Sequence, residues 1–179
     1  MAYSPSTRAR MADLTMGLHT QTAEGILLDA HFTNPTQTEL FNFYGRIAIL
    51  QLYIEVTTAF DVNATTVAFN VTHTVPAAAT INVINAASAS CASLSAGSRI
   101  VCVGGVVATQ VVVTAKNAAS DVTMAGKKVI IGCVDGAGIV SYGTIGFAAA
   151  GATQAGTCGA TAHIYWAAMS PGAYVTSIL

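Results

Sequence analysis

Polar and apolar residues alternate with a period of two along most of this chain, the spacing of β-strands with one face buried. The clearest run is 65–75, where Val67, Phe69, Val71 and Val75 share one face and Thr66, Ala68, Asn70, Thr72 and Thr74 the other. In 46–56, Leu50, Leu52, Ile54 and Val56 alternate with Gln51, Tyr53 and Glu55. Seven more strands are expected at 80–85, 99–103, 106–115, 127–134, 139–149, 161–168 and 174–179, where Val, Ile and Thr are concentrated. Asp61–Ala64 reads as a turn, and Asp135-Gly136-Ala137-Gly138 supplies residues that tolerate positive φ in a hairpin loop. Eight to ten short strands without a long helical period predict a mainly β fold, an antiparallel β-sandwich or jelly-roll-like body.

The first 45 residues break the period. Thr20 can cap a short helix through Ala23, Ile26, Leu27 and Ala30, although Gly25 weakens it. Thr36-Gln37-Thr38-Glu39 has the spacing of a capping box, with Gly45 as a stop, and predicts a helix over 38–44. That helix would carry Leu40, Phe41, Phe43 and Tyr44, a cluster too apolar to leave in water, so it is expected to pack on the body or on a partner. The division is an N-terminal arm, 1–45, with one or two short helices, and a β-rich domain, 46–179.

Charge sharpens that division. Only 8% of the 179 residues are Asp, Glu, Lys or Arg, against about 25% in soluble domains. Residues 1–61 hold nine of the fifteen charges, which leaves the body a background of Ala, Val, Thr, Ser and Gly. No apolar run reaches the roughly 18 residues of a spanning helix, so no membrane is expected. The start, MAYSPSTRARMADLTMG, lacks the apolar core of a secretory signal, so synthesis and retention in the cytoplasm until lysis are expected. A net charge of −1 with scattered Lys and Arg offers no basic stripe for nucleic acid. Alanine-rich stretches at 77–79, 86–92 and 148–155 would let backbones approach closely, either between subunits or within tight β-packing.

The search for chemistry returns little. Cys91, Cys102, Cys133 and Cys158 lie far apart without zinc-type spacing and read as buried small hydrophobes, with late pairing the lesser alternative. Cys158 and His163 could form a thiol and its base, but no third group completes them. His73 on an apolar strand face reads as structural, and Glu55 and Asp61 as solvated charges. Two Asn-X-Thr acceptor patterns, at Asn63 and Asn70, matter only in a secreted chain. Gly104-Gly105 and Gly132 lack the context of a phosphate-binding loop. No catalytic residue, cofactor or metal is assigned, and an enzyme is not expected.

The segment RIAILQLYIEVTTAFDVNATTV at 46–67, with Gly143–Phe147, Ala162–Trp166 and Pro171–Val175, resembles the ordered blocks of small virion proteins of tailed bacteriophages. That resemblance implies a capsid decoration or cement protein on the virion surface, with the major capsid protein and copies of itself, as homotrimer or homodimer, for partners. Arg8 and Arg10 in the arm, together with Phe41, Phe43 and Tyr44, are then the expected partner-binding residues. The alternative is a tail or head-fibre component, a receptor-binding module for host glycans, which would want exposed aromatics from among Trp166, Tyr142, Tyr165 and Tyr174.

Overall fold

The computed structural model describes residues 18–33, 37–75, 80–84, 87–102, 112–114, 129–132, 140–154 and 156–179. Among the described residues, eleven strands run in chain order: β1 (Leu18–Leu28), β2 (Gln37–Tyr44), β3 (Ile47–Thr58), β4 (Thr65–Val75), β5 (Thr80–Val83), β6 (Arg99–Val101), β7 (Val112–Thr114), β8 (Val129–Ile131), β9 (Tyr142–Gly151), β10 (Gly159–Ala168) and β11 (Tyr174–Ser177). Every pairing is antiparallel. The first sheet has the order β1-β10-β3-β6-β7, with β8 also on β3, and the second β11-β2-β9-β4-β5. Their inner faces share one core, in which Phe32, Phe41, Phe43, Phe69 and Phe147 are among the largest fully buried side chains. The mainly β expectation holds.

Both expected N-terminal helices are strands. The segment around Thr20 to Leu27 is β1 at an edge of the first sheet, and 38–44 is β2, flanked by β11 and β9. A two-turn helix would leave part of its aromatic cluster in water, whereas an interior strand buries Phe41 and Phe43 completely and bonds its backbone on both edges. The only helix among the described residues is a short 3-10 turn, Asp29–Phe32, which drops Phe32 into the core. Residues 18–44 therefore belong to both sheets and do not form a separate arm. Gly45 does end its element, but as the turn from β2 to β3, at φ 78° with its N–H donated to the Ser141 carbonyl at 2.8 Å.

Bulges correct the simple alternation. Tyr165 pairs with Gln51 but Trp166 pairs with Ile49, so Leu50 has no opposite residue. The phase shifts there: Ile47 and Ile49 join Leu52, Ile54 and Val56 in the core, and Leu50 is left half-buried. On β4, His73 pairs with Gly143 and Val75 with Tyr142, so Thr74 is the extra residue and Val75 leaves the face of Val71. On β2, Leu40 is passed over between Glu39 and Phe41 and is itself fully buried.

The expected turn after β3 is built on polar side chains. Asp61 Oδ1 accepts from the Asn63 N–H at 2.7 Å, an Asx turn. Gln154, 2% exposed, ties this turn to the loop after β9. Its Oε1 accepts from the Asp61 N–H at 2.9 Å, and its Nε2 donates to the Asn63 carbonyl at 2.7 Å and to Thr65 Oγ1 at 2.9 Å. Thr65 Oγ1 in turn donates to the Ala152 carbonyl. Leu at 154 would fill the space but leave the Asp61 N–H without its acceptor and take one of two bonds from the Asn63 carbonyl and from Thr65 Oγ1, three bonds at about 1 kcal/mol each. Gln154→Leu should therefore lose about 3 kcal/mol in urea unfolding and lower Tm by about 6–12 °C. A loss below about 1 kcal/mol would show that the network carries no net stability.

Candidate functional site

The outer face of the first sheet carries a polar aromatic platform. β10 turns Ala160, Ala162, Ile164 and Trp166 into the core, which leaves His163 and Tyr165 on the other side with Tyr53 and Glu55 of β3. Tyr53 stacks on His163 at 4.7 Å and on Tyr165 at 6.5 Å, the rings nearly parallel. Arg99 of β6 bonds Glu55 at 3.1 Å, and its guanidinium carbon lies 5.3 Å from the Tyr53 ring centre. These contacts cover Tyr53 to 7% exposure. Burial, with the adjacent Tyr165, pushes the Tyr53 phenol up to about 12, and burial lowers the His163 imidazole below its ordinary value. Tyr53 therefore stays protonated at neutral pH. Stacked, paired and largely covered, the platform holds the sheet face together.

The outer face of the second sheet is different in kind. Register aligns Tyr174 of β11 with Tyr44 of β2, and Tyr44 with Tyr142 of β9. Tyr44 and Tyr174 stack at 5.3 Å and 16°, while Tyr142 and Tyr174 are 43% and 49% exposed. One row further along stand Thr176, Asn42 and Thr144, followed by Thr72 of β4. The tyrosines, Asn42 and Thr176 surround an open depression of about 240 Å³, floored by Phe43 and Gly143 and lined by no charged residue. Toward the other end of the face the side chains are small, with Ala68 opposite Ala148 and Thr66 opposite Ala150. The single charged side chain on the outer side of β2, β4, β9 and β11 is Glu39, which accepts from Thr144 Oγ1 at 3.2 Å.

The sequence-predicted contact residues part company here. Phe41 and Phe43 are core, 0% and 1% exposed, and cannot meet a partner; the strand in place of the expected helix turns them inward. Tyr44 is half-buried on the outer face, and Arg8 and Arg10 lie outside the described residues. Trp166 is 3% exposed and is no surface aromatic. The tyrosine row escapes sequence reasoning because it joins three strands distant in the chain. Its signal is faint: each tyrosine stands at a strand end beside a turn.

The catalytic candidates dissolve. Cys158 is in the core while His163 is on the outer face, so the two are on opposite sides of the sheet. Cys91, Cys102 and Cys158 are buried, and Cys133 lies outside the described residues. Burial pushes the Cys102 thiol up to about 12 and raises that of Cys91, which keeps both protonated and inert. His73 packs edge-on against Phe43 at 5.4 Å, and burial lowers its imidazole. Among the described residues, no group of three or more His, Cys, Asp or Glu stands together as for a metal, and no helix is long and apolar enough to cross a membrane.

No family model, no curated protein and no solved structure matches the chain.

Proposed function

We propose that the chain is a structural subunit built into a larger assembly, in its most specific form a decoration or cement protein on the head of a tailed bacteriophage. One observation carries the assembly reading: an entire sheet face with a single charged residue, its small-residue half formed by Thr66, Ala68, Ala148 and Ala150. Solvent-facing surfaces normally carry about 25–35% charged residues, and a nearly uncharged face with a small-residue half suits close contact with a second copy of the chain. Association on this face needs no chemistry; it stabilises the bound state by mass action. The phage assignment rests on the sequence blocks at 46–67, 143–147, 162–166 and 171–175. Contact with the major capsid protein then falls to the segment containing Arg8 and Arg10, since Phe41 and Phe43 are committed to the core.

Light scattering coupled to size-exclusion chromatography tests the self-contact. The unaltered chain should run as a dimer or trimer. Ala148→Arg combined with Ala150→Arg should weaken association at least tenfold, which corresponds to about 1.4 kcal/mol, with an unchanged far-UV circular dichroism spectrum. A monomeric unaltered chain would remove the self-association half of the reading. Co-sedimentation with capsids of the encoding phage tests the other half, with Arg8→Glu plus Arg10→Glu expected to reduce binding and equal binding counting against it.

A further inference from the structure

We propose that the tyrosine depression on the outer face of the second sheet is a binding site for a neutral pyranose sugar. The chemistry of its lining selects that class. A pyranose ring has a C–H face that packs on aromatic rings and an equatorial rim of hydroxyls that needs donors and acceptors in the same small space. Tyr142 and Tyr174 offer exposed rings on two sides, and Tyr174 is braced by its stack on Tyr44, so its orientation is set before any ligand arrives. Asn42 and Thr176, both exposed, add an amide and a hydroxyl beside the rings, and no described residue uses either side chain as a hydrogen-bond partner.

Charge narrows the class further. With no Lys, Arg, Asp or Glu in the lining, nothing compensates the carboxylate of a sialic acid or the charge of a phosphosugar, and both would lose hydration without return. An open depression of about 240 Å³ holds one ring and leaves much of it wet, so millimolar affinity per site is expected. Repetition of the chain in an assembly would raise that affinity through multivalency. Sugar binding and assembly are separable properties: a monomeric chain can still bind a sugar, and an assembling chain can fail to.

The test is a titration of the full chain, followed by NMR amide shifts, with methyl α-D-glucopyranoside, methyl β-D-galactopyranoside and N-acetylglucosamine. N-acetylneuraminic acid serves as the charged comparison. At least one neutral sugar should shift amides of β2, β9 and β11 with a Kd of roughly 1–10 mM. Tyr174→Ala and Tyr142→Ala should each weaken it about tenfold, Tyr174→Phe should retain binding, and Met169→Ala, exposed outside the depression, should leave it unchanged. Tyr142 and Tyr174 are exposed, and Tyr174→Ala gives up only its stack on Tyr44, worth about 0.5–1.5 kcal/mol, so both variants should stay folded with a Tm within about 6 °C of the parent, which separates lost binding from lost folding. No shift with any neutral sugar up to about 50 mM, tighter binding of the charged sugar, or shifts indifferent to both alanine variants would each overturn the proposal.

Discussion

A chain shortened to begin at Arg46 should not fold. Sequence patterning treats 46–179 as a self-sufficient β-body, but β2 lies between β11 and β9, and β1 lines the edge of β10. Deleting 1–45 removes both strands and withdraws Phe32, Leu40, Phe41 and Phe43 from the core. At about 1.5–3 kcal/mol for each large apolar side chain, that is about 6–12 kcal/mol of burial, comparable to the whole stability of a domain, about 5–15 kcal/mol. The cut also leaves one edge of β9 and one of β11 unpaired, and open edges of this kind promote aggregation. The expected outcome is an insoluble product, or a soluble one with no cooperative transition in thermal or urea unfolding. A cooperative transition near the full-length midpoint would show that β1 and β2 are dispensable.

Where the sequence is read correctly and where it misleads has a physical pattern. The run 65–75 coincides with β4 in both bounds, because a strand with one buried face must alternate and little else competes for Val67, Phe69 and Val71. The stretch 38–44 fails because local and tertiary signals conflict. Thr36 and Glu39 have helix-capping spacing, worth about 1 kcal/mol, whereas packing two phenylalanines into a shared core is worth several times more. Gly45 is a stop under either reading, so it could not discriminate between them. Leu50 and Val75 are assigned to the wrong face because a bulge is a relation between two strands and leaves no mark on one of them. The tyrosine row is hidden for the same reason: Tyr44, Tyr142 and Tyr174 become neighbours only through cross-strand register.

The bulges also make particular glycines indispensable, and Gly143 is the sharpest case. Next to the extra residue Thr74, a Cβ on Gly143 would run into the Thr72 carbonyl oxygen, with His73 Cα and the Phe43 ring also in the way. The first obstacle is backbone held in a sheet and cannot rotate aside. Gly143→Ala must either pull β4 off β9 around the bulge or push Phe43 out of the core, and either route costs more than a flexible clash. Overpacking at about 1–3 kcal/mol with one or two broken ladder bonds at about 1 kcal/mol each predicts a total loss of about 2–5 kcal/mol. Tm should fall by about 4–20 °C. Gly172→Ala is the comparison, since φ there is 74° but nothing lies within 4 Å of the added Cβ. It should cost only the left-handed backbone strain of about 1–2 kcal/mol. If Gly172→Ala proved the more damaging in urea unfolding, close approach at the bulge would not be what requires glycine at 143.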